Sequence, residues 1–282
     1  MATPFTNQAT LFYNGNVINS NITTGQIVDT VAMEKIALTD TYRQNGKITY
    51  VVTIANTGTS DLTDLILSDN LGEYTIGEES YTPLTYVDGS ILYFVNGVMQ
   101  SAPVVTAPLS ITGFSVPANG NVTIMYETVA NGYAPIGPDA SITNTVSLSS
   151  EQKAYIATAT ETVELVQDAE LSIMKSLSPK NVEENGTLTY TFQIENRGTK
   201  PIELSDDVTV RDIFTPVLNN MSVTFNQAEW IEGVNYTYDA LTGEFVSNAN
   251  QITVPGATYS QDVTRMWTIT PGVSTLVISG TI

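Results

Sequence analysis

Six polar side chains of this sequence fall in phase with apolar rows of strand-like segments. Val31, Met33, Lys35 and Ala37 alternate onto one face, as do Leu171, Ile173, Lys175 and Leu177. Leu65, Leu67, Asp69 and Leu71 share a face, as do Val208, Val210, Asp212 and Phe214. Asn144 lies in line with Ile142, Val146 and Leu148, and Asn7 with Phe5, Ala9 and Leu11. Lys, Asp and Asn thus each point inward twice. A desolvated Lys gives up its proton and becomes a nucleophile. A buried carboxyl is pushed toward its protonated form and can polarise a carbonyl. Amine attack on a carboxamide, with loss of ammonia, leaves an isopeptide bond. Glu127, in phase with Met125 and Val129, is another candidate acid, and its counterpart in the second half reads as Gly280. The Asp residues are preferred because both halves have one. Each residue also has a plainer reading: a strand-end acid, or a Lys snorkelling from a strand edge.

The elements that must position these groups repeat. Asn45-Gly46-Lys47-Ile48-Thr49-Tyr50-Val51-Val52-Thr53-Ile54-Ala55-Asn56-Thr57-Gly58 matches the segment from Asn185 to Gly198. Lys35 and Lys175 keep the same offset, and Leu65–Asp69 matches Val208–Asp212 after a small insertion. Both copies read as short alternating strands joined by Gly, Asn and Pro turns. The expected fold is all-β: two Ig-like β-sandwiches over residues 29–166 and 167–282, preceded by an N-terminal donor strand and linker at 1–28.

The first copy continues past Val129 into the strand around Asn144, whereas the second copy stops at Ile282, near the place of Val129. The second sandwich therefore reads as lacking its last strand. Phe5-Thr6-Asn7-Gln8-Ala9-Thr10-Leu11 resembles Ile142-Thr143-Asn144-Thr145-Val146-Ser147-Leu148, so the missing strand stands at the other end of the chain. An open sandwich exposes unpaired backbone groups and core. The first expectation is that residues 1–20 of one subunit complete the second sandwich of the next. Such a head-to-tail contact need not close, and yields a filament. The alternative is that this strand folds back within its own chain.

Composition excludes much else. There are 29 acidic and 10 basic residues, a formal charge of −19, and no Cys or His. Disulfides, Fe–S clusters, most zinc sites and the usual hydrolase triads are excluded. The charge argues against nucleic acid as a partner. The N-terminus reads as lacking a signal peptide, and no stretch is long and apolar enough for a membrane helix. No cofactor is expected. The acid pairs Asp61/Asp64 and Asp206/Asp207 lack EF-hand spacing and read as loop acids, and Trp230 and Trp267 as packing residues.

The segments Thr49–Gly58 and Leu67–Leu71 resemble the DUF11 repeats of bacterial surface proteins. The order Lys, Asp, Asn resembles the isopeptide-forming Ig-like domains of Gram-positive adhesins and pilins. That resemblance implies a Lys35–Asn144 bond with Asp69 as catalytic acid. It also implies Lys175, with Asp212, bonding to Asn7 of a neighbouring subunit. A spore-appendage or pilus-like fibre is then implied: a homopolymer on an extracellular or spore surface, with room for an anchor or tip protein. It would be no enzyme beyond its own crosslinking. A monomeric adhesin or coat-binding module is the competing expectation.

Overall fold

The computed structural model describes residues 3–27, 30–151 and 153–282, and its regular elements are strands but for one 3-10 turn at Leu204–Asp206, as expected for the all-β class. The chain divides into two compact units. The first comprises Met1–Ala134 and Ile142–Glu164, the second Pro135–Ser141 and Leu165–Ile282.

The N-terminal arm contains β1 (Thr3–Asn7), β2 (Thr10–Tyr13), β3 (Asn16–Asn19) and β4 (Thr23–Ile27). β1 pairs with β4 and β2 with β3, so the arm is one long interrupted hairpin. Its tip is Asn14-Gly15, both at positive φ, the geometry a two-residue hairpin turn needs. Where the sequence predicts a donor strand and then a linker, the arm carries a return strand.

The body of the first unit opens with β5 (Val31–Ala37), β6 (Thr41–Tyr42), β7 (Lys47–Asn56) and β8 (Leu62–Asp69). Short ribbons come next: β9 (Tyr74–Ile76), β10 (Glu79–Tyr81), β11 (Leu84–Tyr86), β12 (Leu92–Val95), β13 (Val98–Gln100) and β14 (Val104–Thr106). β15 (Ser110–Val116), β16 (Gly120–Ala130), β17 (Ser141–Ser150) and β18 (Lys153–Leu165) complete it. One sheet runs β13-β12-β16-β7-β5 with β11 also on β16, and the other β14-β15-β8-β17-β18-β6. Alternation explains the core. Ile48, Tyr50, Val52 and Ile54 of β7 are fully buried, as are Val122, Ile124 and Tyr126 of β16; Leu67 of β8 and Leu148 of β17 lie within 1% of that.

The second unit contains β19 (Leu171–Ser178), β20 (Thr187–Asn196), β21 (Arg211–Ile213), β22 (Asn219–Phe225), β23 (Ala228–Trp230), β24 (Tyr236–Asp239), β25 (Glu244–Ser247), β26 (Thr258–Gln261), β27 (Trp267–Thr270) and β28 (Gly272–Thr281). β19-β20-β28-β22-β23 repeats the first kind of sheet. Strands β7 and β20 share one burial pattern along their whole length. Each ends in a buried Asn whose carboxamide closes the loop after it. Asn56 accepts from the Gly58 N–H and donates to the Ser60 carbonyl, and Asn196 does the same with Gly198 and Lys200. The repeated Asn-x-Gly is therefore a strand-end fastening that satisfies buried polar atoms.

The facing sheet is where the copies part. In the second unit it is only β21-β25-β24. Among the described residues β21 pairs with β25 alone and leaves its other edge open, whereas β8 is paired on both sides, by β15 and β17. Within residues 165–282 nothing takes the places of β17, β18 and β6. The deficit is wider than the single strand read from the sequence.

Candidate functional site

In the first unit the phase argument delivers its three residues to one point. Lys35 Nζ donates to Asp69 Oδ2 at 2.8 Å, with both side chains at or below 2% exposure. Asn144, fully buried on β17, points its Nδ2 at that same oxygen at 3.5 Å. Its Oδ1 accepts from the Gly72 backbone N–H at 3.2 Å. That donor sits where negative charge would develop on attack at the carboxamide carbon. Asp69 is held by a third bond, from the Leu71 N–H to Oδ1 at 2.7 Å. Lys35 Nζ lies 4.5 Å above the Tyr50 ring. Burial lowers the Lys35 pKa to about 8, against the opposing pull of Asp69.

Tyr126 was not singled out from the sequence. It is fully buried on β16, and its hydroxyl donates to Asp69 Oδ2 in a short hydrogen bond. Burial first, then the Asp69 charge, push its phenol well above the ordinary range, so it remains a donor. Tyr50 Oη lies by Asn144 without a hydrogen bond of good geometry, and burial raises its pKa too.

The structure does not bring Glu127 to this cluster. The buried face of β16 carries Val122, Ile124, Tyr126, Thr128 and Ala130. Glu127 lies on the opposite face, in an exposed ion pair with Lys47 at 2.6 Å. Its counterpart also changes. Glu127 pairs with Thr49, and the equivalent Thr189 pairs with Ser279, not with Gly280. By the same ladder Ile282 stands in the place of Ala130, and Ile278 in that of Tyr126.

These placements give a first expected outcome. Tyr126→Phe slows any Lys35–Asn144 bonding by about 10-fold or more, the scale of one hydrogen bond to a charged group. Glu127→Gln leaves it unchanged. Mass spectra taken through refolding measure both. An effect of Glu127→Gln as large as that of Tyr126→Phe would contradict the assignment.

In the second unit Lys175 and Asp212 meet in a short ion pair, but in the open. The Lys175 side chain is 40% exposed against 0% for Lys35. It keeps the aromatic floor, 4.5 Å above Tyr190. The rest of its row, Leu171, Ile173 and Leu177, is exposed as well. A groove of about 210 Å³ runs beside it, lined by Leu171, Ile173, Ile194, Val208 and Val210. Asn7 lies on the exposed arm, opposite Thr23. The described residues contain no acidic cluster suited to a metal. Asp61 instead accepts from the Ala118 N–H, and Asp206 from the Glu203 N–H. Trp230 stacks on Phe225 in the core.

No protein-family model matches this chain, and no curated protein does. Among solved structures, it is similar to the major pilin subunit BcpA of Bacillus cereus at TM-score 0.35 and 10% identity, over 95% of this chain and 73% of that one. It is similar to a C-terminal fragment of the major pilin GBS80 of Streptococcus agalactiae at TM-score 0.34 and 11% identity, over 86% and 91%. A family 123 glycoside hydrolase from Clostridium perfringens gives TM-score 0.32 at 9% identity, and this chain spans only 27% of it. Likenesses at this level decide neither role nor chemistry for the chain.

Proposed function

We propose that this chain is a structural subunit of a surface filament, joined head to tail by donor-strand complementation and locked by amide bonds it forms itself. The observation that carries the reading is the uncovered row of the second unit, with its Lys175–Asp212 pair open, beside a finished version of the same site in the first. A strand bearing an in-phase Asn, β1, stands exposed at the far end of the chain. Spore-appendage or pilus-like use on an extracellular surface rests on the sequence resemblance.

The bond in the first unit forms in balanced steps. The Lys35 ammonium passes a proton to Asp69. The amine attacks Cγ of Asn144, and the Gly72 N–H steadies Oδ1 as it gains charge. Asp69 returns its proton to the departing nitrogen, helped by the Tyr126 hydrogen bond. The C–N bond of the carboxamide breaks, and ammonia leaves with the last amine proton, as ammonium. Asp69 ends as it began, a carboxylate. Once β1 of a neighbour covers Lys175, the same bond exchange joins Lys175 to Asn7, with Asp212 as acid and no tyrosine beside it, since Ile278 stands in the place of Tyr126.

The Lys35 value of about 8 sets a pH dependence. The reactive state needs one proton shared between Lys35 and Asp69. Above about pH 8 that proton is lost, so bond formation on refolding slows as pH rises through 8. A rate that climbs steadily above pH 8 would mean free amine alone limits the step. The filament reading is tested by electron microscopy of the purified full chain, then boiling in SDS and intact mass. Filaments, SDS-stable ladders and the mass of one ammonia lost per bond support it. A chain that stays monomeric at all concentrations overturns it.

A further inference from the structure

The uncovered side of the second unit is two strands wide. In the first unit β17 and β18 lie side by side between β8 and β6, with the Glu164 N–H bonded to the Asp40 carbonyl at 2.9 Å. Both flanks have counterparts in the second unit: the open edge of β21, and the segment at Asn181 and Val182, which forms no strand there. A single donor strand on β21 would leave the second flank unpaired and the new strand as an exposed edge.

We propose that the donor is the whole β1–β4 hairpin of a second copy of this chain, filling the places of both β17 and β18. This rests on the head-to-tail reading above and names its joint. Four observations converge. The hairpins match in extent, Thr3 to Ile27 against Ser141 to Leu165. They match in register: Asn7 faces Thr23, while the Thr143/Thr162 and Thr145/Thr160 hydroxyl pairs, each at 3.0 Å, place Asn144 opposite Glu161. They match in their place along the chain, since β4 precedes the strand of Lys35 as β18 precedes the strand of Lys175. The arm also carries an unburied apolar load. Phe5, Leu11, Phe12, Tyr13, Val17, Ile18 and Ile22 are all more than half exposed, a feature of contact surfaces.

One substitution between the hairpins is compensated in volume. The first unit pairs the positions of Ile142 and Val163, both buried. The arm has Phe5 opposite Gly25, and the Phe5 ring lies over the glycine where any Cβ would clash. One large ring over a glycine thus replaces two medium side chains.

By this correspondence Thr10 of the donor falls beside Arg211 of the acceptor, as Ser147 does beside Ser68. Gln26 falls beside Lys180, as Glu164 does beside Asp40. The chain has no Cys, so introduced thiols report only the designed contacts. Full-length Thr10→Cys and Arg211→Cys chains are mixed and oxidised, and likewise Gln26→Cys and Lys180→Cys. Disulfide heterodimers are identified by peptide mass. Hydrogen exchange on the unsubstituted chain is the second measurement, because assembly should protect Thr23–Ile27 amides that face away from β1.

Heterodimers in both mixtures, with new protection at Thr23–Ile27, are the expected result. Heterodimers from the Thr10/Arg211 mixture alone, without that protection, overturn the two-strand donor and leave a fibre joined by one strand. Heterodimers from Gln26/Lys180 alone overturn the assigned register. Neither pair, with filaments still visible, means another occupant fills the place. Neither pair and no filaments overturns the head-to-tail reading itself.

Discussion

Asp69→Asn is expected to keep in the first unit the ammonia that the proposed Lys35–Asn144 bond releases, and to be markedly less heat-stable. The geometry gives two reasons. Asp69 Oδ2 is where Lys35, Asn144 and Tyr126 converge, so its loss removes the proposed proton carrier. The lost bond would have closed a loop of roughly 110 residues, and releasing a crosslink of that span costs about 4–5 kcal/mol on the chain-entropy account. Lys35 then remains buried without its carboxylate, an arrangement that costs a further 3–5 kcal/mol, roughly, when one partner of a buried pair is removed. Together these lower the first unit's melting midpoint by about 15–30 °C. Lys35→Met separates the contributions, since it removes the bond and the buried cation at once. Intact mass and scanning calorimetry are the measurements. Ammonia loss that persists in Asp69→Asn would remove Asp69 from the reaction.

Lys175→Ala and Asn7→Ala should each convert SDS-resistant ladders into single subunits on boiling, while filaments still form in native buffer. In the proposed joint strand pairing and apolar burial hold the subunits together, and neither depends on the amide. The size of the effect is all or none on a denaturing gel, because a covalent joint survives detergent and a backbone ladder does not. The chemistry also waits for docking. Lys175 is 40% exposed in the single chain, and the proposed donor would desolvate it on docking. Ladders that persist in both variants would place the crosslink elsewhere. Filaments that vanish altogether would make the bond part of the assembly step.

Strand phase makes much of the molecule readable. The alternation in β7 and β20 is strict, so the repeat, the core and the inward Lys and Asp all come from a period of two. Phase fails on β16, where Ile124, Met125, Tyr126 and Val129 make both faces apolar, and it puts Glu127 on the wrong one. Tyr126 escapes notice because a buried tyrosine in a core row looks like packing until its hydroxyl is seen on Asp69. The return strand of the arm is hidden because Thr23-Thr24-Gly25-Gln26 carries no apolar alternation. Its partner strand and the Asn14-Gly15 turn define it. The Gly280 misalignment is a one-residue drift that the β20–β28 ladder removes.

On the proposed joint, the one exposed hairpin and the one two-strand opening among the described residues set the valence of the polymer. With a single plug and a single socket, growth cannot branch, and the two ends of a fibre are chemically unlike. One end always offers an arm to solvent and the other an open sandwich. Such a fibre has a direction, and a partner that binds its end meets an arm at one end and an open sandwich at the other.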